Sequence, residues 1–232
     1  MMNATEFDRF ATSYDQDLAK SLTITGEDRN FYAQQRIDWT AAQIARLQVR
    51  VRKIMDYGCG DGANVPILAR RFEAGVLGVD VSTALIALAG QSSSGPRISF
   101  LSLAEWTPDG SIDLAFCNGV FHHIAPGERA ACLAAIRNAL APAGLFAFWE
   151  NNPWNPGTRY VMSQCAFDEN AITISPYAAR KMLSQAGFKI LRTDSLFYFP
   201  RQLGLLRPVE RWLRAVPFGG QYLVLCQNRH GA

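Results

Sequence analysis

Several features are missing from this chain of 232 residues, and each absence closes off a class of protein. No apolar run approaches the ~20 residues that a bilayer-crossing helix needs, so no spanning helix is expected. The opening MMNATEFDRF carries no apolar stretch of the secretory kind, and the expected location is cytoplasmic. Cysteine is sparse: Cys59, Cys117, Cys132, Cys165 and Cys226 are odd in number, scattered and without a C-x-x-C pair. That pattern argues against a disulfide framework or a zinc site. Charge is nearly balanced, with 23 Lys and Arg against 20 Asp and Glu, and the net of +3 points to no nucleic-acid partner. No internal repeat or low-complexity tract divides the chain. With 49% hydrophobic residues, a single domain over residues 1–232 is expected to bury about 70–75% of its unfolded surface.

What is present is most concentrated in KIMDYGCGDG, residues 53–62. Ile54 and Met55 make a short strand, Asp56 sits near its carboxyl end, and Gly58, Gly60 and Gly62 follow at alternate positions. The next residues, ANVPILARRF, place Val65, Leu68, Ala69 and Phe72 at helical spacing. A strand, a glycine turn and a helix hold nucleotide cofactors, because glycines admit the ligand to the backbone and the helix start offers free amides. Eighteen residues beyond Gly62, the strand AGVLGVD ends in Asp80, a carboxylate placed to accept both ribose hydroxyls.

Gly58-x-Gly60-x-x-Ala63 also satisfies a relaxed dinucleotide pattern, which leaves a nicotinamide oxidoreductase as the alternative. That enzyme would need a hydride-transfer acid, and no S-x-Y-x-x-x-K grouping occurs. Asp56 before the turn suits the ammonium of a methionine moiety, and both it and Asp61 within the turn would sit badly beside a pyrophosphate.

Periodicity predicts leading helices over 5–20 and 28–48, then strand 53–58, helix 63–72, strand 75–80, helix 82–90, and strands 97–102 and 112–118. Helix 126–140 and strand 144–150 follow, and Pro126 suits a first helical turn. Residues 151–175 show no clear period; helix 176–186 and strands 188–198 and 220–227 close the chain. Such alternation demands a parallel sheet of seven strands, doubly wound, with helices on both faces.

DYGCGDGANV, GVDVS, SIDLAFCNGVFHHI and LAPAGLFAFWE resemble the successive motifs of class I S-adenosylmethionine-dependent methyltransferases of the small-molecule type, in order and spacing over roughly residues 50–230. The N-terminal FDRFATSYD is similar to the opening segment of many such enzymes. The resemblance implies S-adenosylmethionine as cofactor, a Rossmann-like fold and an antiparallel last strand. It implies that Asp56, Gly58, Cys59 and Gly60 cradle the methionine part, Asp80 and Val81 the ribose, and Ala104 and Glu105 the adenine, with Asn118 and a Tyr14 lid alongside. Leu103 stands where the family often has Asp, so the adenine contact is assigned to the Ala104 amide. A protein that binds this cofactor without turnover is the third alternative.

Catalysis is expected at the strand ends, where His122 and His123 follow strand four. Adjacent histidines are expected to face different ways, so one at most acts as a general base on the acceptor; the alternative is that one bonds backbone and the other packs beneath the cofactor, with placement of the acceptor supplying the acceleration. No metal is expected, because the acids are dispersed and two neighbouring histidines do not make a ligand set. Asn151, Trp154, Arg159 and Tyr160 are the candidate acceptor residues: amides to orient a hydroxyl, an indole to stack, a guanidinium for phosphate or carboxylate. The expected organisation is a helical lid over 1–48 and acceptor-side inserts at 151–175 and 199–219. The expected reaction is methyl transfer to a small-molecule or carrier-linked acceptor at oxygen. Residues 199–218, apolar and rimmed by Arg201, Arg207, Arg211 and Arg214, suggest a lipid-linked or phosphorylated acceptor and peripheral membrane contact.

Overall fold

The structure, a computed structural model, describes residue 8, residues 19–93 and residues 95–229. Most of the expected helix at 5–20, including Tyr14, lies outside the described residues. Seven strands form one sheet: β1 (Lys53–Tyr57), β2 (Gly75–Asp80), β3 (Ile98–Ser102), β4 (Ile112–Asn118), β5 (Leu140–Asn151), β6 (Phe188–Leu196) and β7 (Gln221–Asn228). Their order is β3-β2-β1-β4-β5-β7-β6. The first five run parallel, and β7 lies antiparallel between β5 and β6. The order reverses between β1 and β4, which opens a crevice at the carboxyl ends of those strands.

Burial on both faces explains the continuous apolar runs of the central strands. In β5, Phe146 and Phe148 face one core, while Leu145, Ala147 and Trp149 face the other. Helix α1 (Arg29–Arg46) with Ile37 and Ile44, and α2 (Val65–Phe72) with Leu68, cover the Trp149 face. Helices α4 (Arg129–Ala139) and α6 (Pro176–Gln185) cover the Phe148 face with Leu133, Ile136 and Leu183. Between them in the chain, α3 (Thr83–Ser92) packs at β2 and β3.

Local signals set the helix starts. Asp28 caps α1 by accepting from Phe31 N, Ser82 caps α3 from Leu85 N, and Ser175 caps α6 from Ala178 N. Three expectations need correcting. Pro126 does not open α4, which starts at Arg129 after a turn closed by Glu128 N on Ala125 O. Strand β5 starts at Leu140, the residue expected to end that helix, because Leu140 pairs with Ile112 ahead of a register shift. The stretch 151–175 contains α5 (Pro156–Ser163), capped by Asn155 on Thr158 N and opened by Pro156. Beyond β6, Arg201–Val209 is a kinked 3₁₀ stretch, non-helical at Leu203, that leads into the single turn α7 (Glu210–Leu213).

Candidate cofactor and acceptor site

The glycine turn is built almost entirely on main-chain amides. Gly58 N and Cys59 N donate to Val79 O at 2.8 and 3.1 Å, drawing the turn onto the end of β2. Gly58 has φ +74°, and a Cβ there would lie 2.3 Å from Val120 Cγ2, so only glycine fits. Asp80 then locks the turn: Oδ2 accepts from Gly60 N at 2.8 Å and Oδ1 from Ser82 N at 2.9 Å. Burial raises the pKa of this carboxyl, and the amides of Ser82 and Gly60 oppose the rise. Asp61 receives a two-pronged hydrogen bond from Arg29, at 2.6 and 2.7 Å, which ties α1 to the turn.

Two buried acceptors at the carboxyl ends of β1 and β4, Asp56 Oδ2 and Asn118 Oδ1, meet no partner among the described residues. Burial, then the charge of Asp80, pushes the Asp56 carboxyl up to about 7. Unmatched acceptors beside a strained acid fit a cationic donor such as the ammonium of S-adenosylmethionine, and they would repel a pyrophosphate.

Gly58, Gly60, Asp80, Val81 and Asn118 line a cavity of about 580 Å³ that continues past β4 to α5 and residues 196–200. Cys59 lies buried beneath the turn, its thiol held well above the usual value by burial and by Asp56, which disfavours the thiolate. Ala104 and Glu105 stand exposed on the turn after β3, outside this cavity, and Glu105 Oε2 accepts from Ser102 N and Oγ.

The histidines depart from expectation. Phe121–His123 is a 3₁₀ turn, and both imidazoles reach the cavity. Their ring centroids lie 4.1 Å apart, and both Nε2 atoms approach Asp168 Oδ1, at 3.2 Å from His122 and 3.3 Å from His123. His122 Nδ1 is 2.6 Å from Glu150 Oε2, while Glu150 Oε1 accepts from Phe121 N and His122 N. Burial alone would strip the His122 proton, but Glu150 and Asp168 overturn that and lift its pKa to about 10. Burial and the neighbouring His122 push His123 down to about 4. Asp168 carried no sequence signal, since it lies in the stretch without a period.

Aromatic side chains dominate the acceptor end. Phe31 and Tyr32 from α1, Phe167, and Phe197 to Phe199 line the cavity. Tyr32 packs edge-on to Phe197 at 5.0 Å, and Phe197 holds a left-handed φ of +64°. Of the four sequence candidates, Asn151 and Tyr160 line the cavity. Trp154 and Arg159 do not: Trp154 precedes the Asn155 cap and leans toward Phe218 at 6.5 Å, and Arg159 lies on the exposed side of α5. Segment 199–218 contributes Phe199, Pro200, Arg207 and Glu210 to the wall. Arg207 pairs with Glu27 at 2.8 Å and stacks on Phe31, and Arg214 lies 3.9 Å over Trp39. Only Arg201 and Arg211 of its arginines are exposed, beside Leu205 at 97% and Trp212 at 73%.

A family model described as a methyltransferase domain matches residues 54–144. A trans-aconitate 2-methyltransferase of Delftia acidovorans is 29% identical over 140 residues, covering 58% of this chain and 52% of that protein. The chain thus spans about half the length of the curated relatives it matches. Its fold is that of an S-adenosylmethionine-dependent methyltransferase from Thermotoga maritima, with a TM-score of 0.67, 16% identity, and coverage of 98% and 100% of the two chains. A second such structure, from Mesorhizobium loti, has a TM-score of 0.58 at 20% identity, over 82% of this chain and 99% of that one.

Proposed function

We propose that this chain, whose domain and fold are those of the class I S-adenosylmethionine-dependent methyltransferases, methylates a hydroxyl oxygen on a small, largely apolar acceptor that carries a ring. The cofactor supplies an electrophilic methyl group. Asp56 and Asn118 hold its ammonium, Asp80 keeps Gly60 and the ribose edge in register, and Gly58 lets the backbone approach. The aromatic wall then positions the acceptor and excludes water, and placement of this kind is the main source of acceleration for such a displacement.

One observation carries the acceptor class: the cavity is walled by aromatic rings, while two of its three arginines are already paired with carboxylates. Arg29 is paired with Asp61 and Arg207 with Glu27, and Arg36 donates to the neutral Gln221 Oε1 at 2.9 Å. A tricarboxylate such as the acceptor named for the curated relatives would want free cations. Radiolabel transfer from S-adenosylmethionine to a panel of phenols, long-chain alcohols and trans-aconitate tests this, with phenols expected to react fastest. Preferential methylation of trans-aconitate, or tight NAD binding with no response to S-adenosylhomocysteine, would sink the reading.

A lipid-linked acceptor is the second reading, supported by Leu205 and Trp212 standing exposed beside the cavity wall. Sedimentation with anionic vesicles, abolished by Arg201→Glu/Arg211→Glu, would favour it over a freely soluble phenol.

A further inference from the structure

We propose that His122, His123 and Asp168 bind a divalent transition-metal cation of the zinc class, with the open coordination position facing the cavity. The three donor atoms lie within 4.8 Å of one another. A tetrahedral site with bonds of about 2.0–2.1 Å has edges of about 3.3 Å. The distances from Asp168 Oδ1 to the two Nε2 atoms, 3.2 and 3.3 Å, match such edges. Two imidazoles and one carboxylate suit zinc or iron, whereas magnesium and calcium prefer all-oxygen sites.

The surroundings support the ligands as a metal site requires. Glu150 Oε2 at 2.6 Å from His122 Nδ1 fixes the tautomer and aims Nε2, as carboxylates do behind metal-bound histidines. The Asp168 segment is fastened to the histidine turn, because Ile172 N donates to His122 O at 2.7 Å and Arg129 to Ile172 O at 2.8 Å. The 3₁₀ geometry of Phe121–His123 lets consecutive histidines converge on one oxygen. All three ligands line the same cavity as Asp80 and Tyr32, so the fourth position opens toward the acceptor. Bound to an acceptor hydroxyl, a cation there would lower that group's pKa so that the proton passes to solvent water and the oxygen takes the methyl group, leaving S-adenosylhomocysteine.

Its role deepens the oxygen-acceptor reading and rests on it, but its binding does not. Chelator-stripped protein titrated with Zn²⁺ at pH 7.5 should bind one equivalent and melt at a higher temperature in its presence. His123→Gln and Asp168→Asn should each weaken binding by more than roughly 10²-fold, and Glu150→Gln by about 10–100-fold. A melting temperature indifferent to Zn²⁺, or affinity unchanged in Asp168→Asn, overturns the proposal. S-adenosylhomocysteine titration of the same samples reports separately: zinc binding retained without it leaves the metal site standing and removes the methyl-transfer reading.

Discussion

At the ends of β1 and β2 the site is held by backbone, whereas across the cleft it is held by side chains. Gly58 N, Cys59 N, Gly60 N and Ser82 N all donate to partners within residues 79–80. The acceptor wall depends instead on pairs such as Arg207 with Glu27 and Tyr32 with Phe197, which join α1 and the residues just before it to the segment after β6. Backbone anchoring tolerates little substitution and fixes one ligand. Side-chain walls can be recut one residue at a time without disturbing the sheet, so acceptor choice can change while the cofactor stays.

The comparison can be broken most forcefully at the turn. Gly58→Ala should cost about 3 kcal/mol of stability, combining the clash with Val120 and the left-handed φ, as read from urea melts. Adding Val120→Ala should recover only the clash. Asp80→Ala comes next: with the Gly60 and Ser82 amides released, S-adenosylhomocysteine affinity should fall about 10²-fold by calorimetry, roughly 2–3 kcal/mol. An unchanged affinity would mean that the turn holds itself. On the other side, Tyr32→Ala should raise the acceptor KM about tenfold and leave S-adenosylhomocysteine binding intact. If both constants move together, the two halves are not separable.

The smallest effect concerns protons. Below pH 7 the Asp56 carboxyl is largely protonated in the free protein, and a neighbouring ammonium favours its ionised form. Binding should therefore release most of one proton near pH 6 and almost none at pH 8, with affinity rising by about tenfold at most between them. The same raised pKa stabilises the fold at low pH, and that contribution is lost as pH climbs from the ordinary aspartate value through about 7. Calorimetry of Asp56→Asn in buffers of different ionisation enthalpy should show no proton release.

The legibility of the two halves follows the same division. Strand β2, and strand β4 with Asn118 at its end, appear where periodicity put them, and the spacing from Gly58 to Asp80 is local enough to read along the chain. The final strand is antiparallel, as the family resemblance implied. Asn155-Pro156 did announce α5, yet the polar composition of 151–175 hid it. Asp168 was illegible because its partners are 45 and 46 residues away, a separation that carries no periodic signal. Trp154 and Arg159 fall outside the cavity wall for a related reason: composition says what a side chain can grip, not where a turn or a short helix aims it.

Phe197 carries a consequence for anyone who engineers this chain. Its left-handed backbone would suit glycine, so the phenyl ring is kept at a cost of about 1–2 kcal/mol. Glycine would relieve that strain but forfeit the ring's packing against Tyr32 and the core, a loss of about 3–5 kcal/mol, so Phe197→Gly should lower the melting temperature while opening a hole in the wall. Strain and packing oppose each other at this one position and packing wins, so a library that opens the wall there should start from a stabilised background.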